Sequence, residues 1–195
     1  MLKIGITGGI GSGKTVVCQV FETLGIPVFY SDVAARYLME HDKQLISALK
    51  NLFGKDVYAN GILHREMIAS IVFHNAGKLQ QLNALVHPAT IAYGKKWMQE
   101  QVSSYAIKEA AILFESGTNK DLDVIIGVYA PASLRMKRAM RRDQRSQEKI
   151  EAIMKRQMDE DEKMKRCDYV IVNDGQQAII LQVTELHRQL LQRNA

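Results

Sequence analysis

The run Gly8-Gly9-Ile10-Gly11-Ser12-Gly13-Lys14-Thr15 satisfies the pattern G-x-x-x-x-G-K-[ST], whose residue types together form a phosphate cradle. Glycines at 8, 9, 11 and 13 let the backbone take positive φ and turn successive N–H groups toward phosphate oxygens. Lys14 can reach the β and γ phosphates of a nucleoside triphosphate, and Thr15 offers a hydroxyl to Mg²⁺. Ser12 and Val16 complete the set of expected nucleotide-binding positions. A chance glycine-rich turn does not explain the setting. The apolar run Leu2-Lys3-Ile4-Gly5-Ile6 before the loop suits a buried strand, and Val16, Val17, Val20 and Phe21 after it are spaced for a helix face.

The pattern along the chain supplies the elements that must hold such a loop. Strands are predicted over 2–7, 27–30, part of 105–114, 124–129 and 169–172. Helical patterns separate them, over 15–24, a long region 33–102, 133 to about 158, and 176–193, where Ile179, Val183, Leu186 and Leu190 mark one face. Alternating strands and helices imply an α/β fold of the P-loop NTPase type, with a five-stranded, mostly parallel sheet flanked by helices and ligands at the carboxyl ends of the strands. Residues 1–195 are read as a single P-loop unit with two attachments. Residues 42–102 form a helical substrate-binding insertion broken near Gly54, Gly61 and Pro88, and 133–165 form an arginine-rich lid.

Further residues could carry chemistry at that edge. The second strand ends in Tyr30-Ser31-Asp32, and a carboxylate there can accept the proton of an acceptor hydroxyl or cap the helix beginning near Val33. Arg36, one turn on, lies on the same side and can grip an anion or join a surface ion pair. Ser133 is the expected N-cap of a helix that buries Met136, Ala139 and Met140 and leaves Arg135, Lys137, Arg138, Arg141 and Arg142 on the other side. Such a charge run is most often a solvated face, but beside a P-loop it is also the device that neutralises a transferring phosphoryl group. Glu109 is unusual on a strand and has two open readings, the Mg²⁺ water shell or solvent.

Composition narrows the class. Apolar residues at 47% and charged residues at 24% are ordinary for a soluble globular protein, and no apolar run is long enough to span a bilayer, so no membrane role and a cytoplasmic location are expected. Cys18 and Cys167 lack a CxxC partner or a histidine cluster and read as reduced structural thiols. His41, His64, His74 and His187 have no metal-ligand spacing. A regulatory GTPase is disfavoured, since Asn119-Lys120-Asp121-Leu122 misses the N-K-x-D base reader at its fourth position. The net charge of +5 allows a nucleic-acid-binding ATPase, whose affinity would fall steeply with salt, although the basic residues cluster in one arm.

These residues resemble the dephospho-coenzyme A kinase family over nearly the full length. The resemblance is carried by Ile4 through Lys14, by Leu24-Gly25-Ile26 leading to Asp32 and Ala35-Arg36, and by Leu82-Asn83-Ala84-Leu85-Val86-His87-Pro88. It continues through Ile112-Leu113-Phe114-Glu115, Arg138 through Arg142-Asp143, and Cys167-Asp168-Tyr169-Val170-Ile171 with Asn173 and Gly175. Tyr30, Ala111 and Thr15-Val16 depart from the family's common Asp, Pro and Ser-Thr, and none of these changes removes a required group. The resemblance implies transfer of the ATP γ-phosphoryl group to the ribose 3′-hydroxyl of dephospho-coenzyme A, the last step of coenzyme A biosynthesis, with Mg²⁺. It further implies Asp32 as base, Lys14 and Arg142 as charge neutralisers, and Arg138, Asn173 and Gly175 beside the nucleotide, with the last two near the base. Arg36, His87, Pro88 and Glu115 would hold the acceptor. ATP and dephospho-coenzyme A are the expected partners of a monomer that binds no nucleic acid. A nucleoside or nucleoside monophosphate kinase is the nearest alternative.

Overall fold

The computed structural model describes residues 1–73 and 75–193, so His74, to which the sequence assigns no role, lies outside the described residues. In chain order the elements are β1 (Leu2–Thr7), α1 (Lys14–Thr23), β2 (Val28–Tyr30), α2 (Ser31–His41), α3 (Lys43–Phe53), β3 (Tyr58–Ala59), β4 (Ile62–Leu63), α4 (Arg65–Phe73) and α5 (Ala76–Gln99). They continue with β5 (Tyr105–Glu109), β6 (Val124–Tyr129), α6 (Ala132–Asp143), α7 (Gln147–Arg156), α8 (Glu160–Lys165), β7 (Tyr169–Val172) and α9 (Ile179–Arg193). The chain forms two compact units: residues Met1–Tyr30 together with the chain from Glu100 on, and Ser31–Gln99.

The first unit is built on a five-stranded sheet in the order β2-β5-β1-β6-β7, with every pairing parallel. Strand β1 is central because both its faces are apolar, and Ile4 lies opposite Ile107 on one side and Val124 on the other. The core joins Ile4, Ile6, Ile107, Ile126 and Val128 of the sheet to Val17 and Phe21 of α1 and to Val183, Leu186 and Leu190 of α9. Burying each large apolar side chain stabilises the fold by roughly 2 kcal/mol. Phe21 and Tyr105 add an edge-to-face contact at 6.3 Å between ring centroids. The inward face of α1 is Val17, Cys18 and Phe21, whereas the expected core residue Val16 is 49% exposed. A helix that buries positions 17, 18 and 21 turns position 16 outward.

The second unit packs α2, α3, α4 and α5 around Leu38, Leu45, Leu49, Val57, Tyr58, Leu63, Ile68 and Val86. It takes in α2, so its bounds differ from the expected 42–102. Two of the three expected helix breaks also change character. Around Gly61 the chain forms a two-stranded antiparallel hairpin, Tyr58 opposite Leu63, with Asn60 and Gly61 at φ of 51° and 81° in the turn. Pro88 does not break its helix: α5 runs through it to Gln99. Proline removes one backbone bond, but Leu82, Leu85, Val86 and Ala89 around it pack into the unit's core and hold both halves in line.

The basic arm of the first unit is three helices, α6, α7 and α8, where one long helix was expected over 133–158. Gln144 at φ 52° ends α6, and Ser146 starts α7 in extended conformation. Helix α6 is capped at its N-terminus by Pro131 without a side-chain bond, so Ser133 falls inside the first turn and does not serve as the N-cap. Among the described residues no helix is long and apolar enough to cross a membrane. Cys18 and Cys167 are both free, and burial pushes both thiols up, that of Cys167 to about 12.

Candidate active site

The phosphate loop lies between the central strand β1 and α1. Gly13 occupies the N-cap position in left-handed conformation, so Lys14 and Thr15 open the helix with backbone N–H groups that have no partner within it. These amides and the positive end of the helix dipole favour an anion at this spot. Positive φ occurs at Gly8, Gly11 and Gly13 but not at Gly9. Gly9 serves differently: a Cβ there would meet the Arg135 guanidinium and stand 2.6 Å from a Glu160 carboxylate oxygen, so that these side chains would have to shift.

Lys14 Nζ donates to the carbonyl of Gly8 at 2.9 Å and to that of Gly9 at 3.4 Å. It also lies 3.9 Å from Glu109 Oε1, and the two side chains are only 11% and 9% exposed. Strand pairing places Glu109, at the end of β5, opposite Ile6 of β1 and Tyr30 of β2. The solvent-facing reading of Glu109 is therefore wrong; the carboxylate is buried and holds the ammonium of Lys14 beside the loop. Burial and then the Glu109 charge keep the neighbouring Cys18 thiol protonated. Thr15 and Val16 are exposed on the first turn of α1.

Arg138 and Asn173 reach the same loop from two other elements. Arg138 Nη1 donates to the Asn173 carbonyl at 2.9 Å and Nη2 to its side-chain oxygen at 3.2 Å. Asn173 Nδ2 in turn donates to the Ser12 carbonyl at 2.7 Å. Gly175, at φ 87°, follows in the loop after β7. Arg142 stands in the last turn of α6, exposed, with its guanidinium in a two-point grip on Asp143 at 2.7 and 3.0 Å. That grip holds the Asp143 carboxyl below its ordinary range.

Two sequence expectations for the basic arm need correction. Arg135 does not face solvent: it is 7% exposed and pairs with Glu160 at 3.3 Å. The buried positions of α6 are Arg135 and Ala139, so the stripe is shifted from the expected Met136, Ala139 and Met140. Outside the arm, β5 stops at Glu109, so Glu115 lies in the segment that follows the strand. Its carboxylate accepts from the Met158 amide at 2.8 Å and pairs with the fully buried Lys163 at 3.0 Å. Burial by itself would raise the Glu115 carboxyl, but these donors together bring it below its ordinary value. Glu160, Gln157 and Arg135 were not legible as neighbours of the loop, since Glu160 and Gly9 are 151 positions apart.

Asp32, Arg36, His87 and Pro88 belong to the second unit. Helix α2 starts at Ser31, so Asp32 sits inside the first turn and the capping alternative does not hold. Its carboxylate is exposed, and its position favours the positive end of the helix. Arg36 is exposed one turn further along. Burial pulls the His87 imidazole down, which leaves it neutral near pH 7. Among the described residues no group of three or more His, Cys, Asp or Glu could hold a metal ion. The oxygen donors at the loop, the Thr15 hydroxyl and the Glu109 carboxylate, suit a hard cation that takes most of its ligands from phosphate and water.

Comparison with known proteins agrees with this geometry. The dephospho-CoA kinase family model matches residues 2–179. A dephospho-CoA kinase of Bacteroides fragilis is 38% identical over 193 residues, covering 98% of this chain and 94% of its own length. One from Porphyromonas gingivalis is 40% identical over 187 residues, covering 95% and 93%. Among solved structures, the dephospho-CoA kinase from Campylobacter jejuni superposes with a TM-score of 0.74 at 25% identity, covering 99% of this chain and 98% of that one. A shikimate kinase from Acinetobacter baumannii, 14% identical with a TM-score of 0.55 over 99% and 94% of the two chains, shares the fold alone. With a phosphate loop on the central strand, a buried acid against its lysine and this likeness along nearly all of its length, the chain belongs to the dephospho-CoA kinase family.

Proposed function

We propose that this chain transfers the γ-phosphoryl group of ATP to the ribose 3′-hydroxyl of dephospho-coenzyme A, giving coenzyme A and ADP. The observation that carries the reading is Lys14, held over the carbonyls of its own loop and beside Glu109, in a chain that matches a dephospho-CoA kinase at 38% identity over 98% of its length.

The loop from Gly8 to Thr15 receives the triphosphate through its backbone N–H groups, those of Gly9 and Ile10 excepted because the arm holds them, and through the α1 dipole. Lys14 neutralises charge on the β and γ phosphates, and Glu109 keeps that side chain placed beside the loop. Mg²⁺ brought with the nucleotide would supply charge neutralisation across the phosphate oxygens, with the Thr15 hydroxyl and Glu109, directly or through water, as the residues that would hold it. Asp32 accepts the proton of the acceptor hydroxyl as the phosphoryl group arrives, and Arg142 meets developing charge. The Arg138–Asn173 pair and Gly175 border the adenine of ATP, Ser12 belongs to the loop and Val16 follows it. Arg36 contributes a cation to the acceptor, and His87, neutral and half-buried, shapes its unit with Pro88. ATP as co-substrate and free thiols fit a cytoplasmic location, where the chain is read as acting as a monomer.

The test is an ADP-release assay over nucleosides, nucleoside monophosphates and dephospho-coenzyme A. Turnover with dephospho-coenzyme A at least 100-fold above the others is expected. Turnover confined to the nucleosides or their monophosphates would overturn the reading.

A further inference from the structure

Two of the loop's amides are used by the arm. Gly9 N–H donates to both carboxylate oxygens of Glu160, at 3.0 and 3.2 Å, and Ile10 N–H donates to the side-chain oxygen of Gln157 at 2.9 Å. Both acceptors come from the entry to α8. Glu160 is 8% exposed and pairs with Arg135, and the Arg135 Nε is buried without a hydrogen-bond partner among the described residues. A guanidinium kept out of water with one donor unmade is costly, and an apolar pair of the same volume would be no less stable. Stability alone does not account for two charges at this place.

The loop itself is shaped to receive them. A Cβ at Gly11 would run into the backbone carbonyl of Arg135, just as one at Gly9 would meet its guanidinium. The first turn of α6 therefore packs directly on the loop backbone at Gly11, and the Arg135 and Glu160 side chains close on it at Gly9. From the far end the Asn173 side chain holds the Ser12 carbonyl and Arg138 holds Asn173. Arg135 and Arg138 are one turn apart on the same helix, so both grips on the loop run through α6. The amides of Lys14 and Thr15, which open α1, are not part of either grip.

We propose that Glu160 is a positioning residue for the phosphate cradle. Its carboxylate fixes the Gly9 amide on the arm's side of the loop, and Gln157 does the same for Ile10. The glycine-rich segment is thereby set in its nucleotide-receiving shape before the nucleotide arrives. Arg135 ties that setting to the helix that carries Arg138 and Arg142. A loop with four glycines has many conformations to lose, and apparent affinity falls by the fraction of molecules in the competent one. The proposal rests on nucleotide binding at the loop and is independent of which acceptor is phosphorylated.

The experiment titrates ADP with Mg²⁺ into the full chain by calorimetry, without acceptor, and measures KM for ATP and acceptor separately. Three variants are compared with the parent: Glu160→Asp, Arg135→Met with Glu160→Met, and Arg135→Met with Glu160→Gln. Removing both charges and the acceptor in the Met pair should weaken ADP and raise the ATP KM by roughly tenfold or more, with the acceptor KM within about twofold. The Gln variant, whose side-chain oxygen still accepts from Gly9, should recover to within about threefold. Glu160→Asp keeps the charge and the fold but withdraws the carboxylate by one methylene, and should weaken ADP several-fold even if the Met pair fails to fold. ADP affinity within twofold of the parent in Glu160→Asp and in a folded Met pair, or a Gln variant as weak as a folded Met pair, would overturn the proposal. A wrong acceptor would leave these ADP titrations unchanged.

Discussion

Asp32 and Lys14 differ in how the chain supports them, and so in what their loss should do. Lys14 is held by Gly8, Gly9 and Glu109, whereas the Asp32 carboxylate is exposed on the first turn of α2. Because Asp32 lies inside the helix and does not cap it, Asp32→Asn should leave the melting temperature within about 2 °C while turnover falls roughly 10²-fold or more at unchanged ATP affinity. A variant that melts earlier yet keeps its turnover would return Asp32 to a structural role. The residue scale also marks where the sequence was readable. Gly8 to Thr15 announced their function because a loop that wraps a phosphate needs those types at consecutive positions. Glu109 did not, because its burial depends on a strand register with β1 and β2 that no local pattern encodes.

At the scale of elements, the arm read as one lid is two things. Its 157–163 end is bound to the loop through Gly9 and Ile10 and to the 110–117 segment through Glu115 and Lys163. Its outer part, α6 and α7, borders an open groove of about 560 Å³ lined by Met136, Met140 and Met154 together with Lys137, Glu151 and Lys155. We propose that lid closure is confined to this outer part. Hydrogen exchange should slow over 141–156 when ATP and dephospho-coenzyme A are added together and change little over 157–163. Arg142→Ala should lower kcat far more than it raises the ATP KM, since a group that meets charge in the transition state contributes little to ground-state binding. Equal slowing along the whole arm, or an Arg142 defect confined to ATP affinity, contradicts this division.

The inner anchor has a pH signature. The folded Glu115 carboxyl titrates below its ordinary value, so the stability it contributes is present above the unfolded value and is lost as pH falls through the folded one. Glu115→Gln leaves the buried Lys163 without its counter-charge and should cost about 3 kcal/mol at pH 7. That difference should shrink below about pH 4 and vanish once the parent is protonated as well, as thermal melts across pH 3–7 would record. A deficit constant across that range would mean that packing, not charge, is at stake. The hairpin in the second unit was legible in principle: Asn60-Gly61 is the residue pair that a tight hairpin turn requires. Pro88 misled for the opposite reason, since the packing that carries α5 through it is tertiary.

For the molecule as a whole, the sheet was readable because buried parallel strands are continuous apolar runs, and β1, β6 and β7 fall where the pattern places them. The order β2-β5-β1-β6-β7 and the grip on the loop were not, because both join residues distant in sequence, such as Ile4 to Val124 and Gly9 to Glu160. The chain divides into a nucleotide unit, in which sheet, loop and arm hold one another, and a helical unit that carries Asp32 and Arg36. The central claim is that this arrangement sends phosphate to one hydroxyl. A single-turnover reaction with ATP labelled at the γ-phosphate and dephospho-coenzyme A tests it directly. The account predicts one label per coenzyme A formed, all of it removable by a 3′-specific phosphatase. Label appearing as free phosphate, or on any other position of the acceptor, would contradict it.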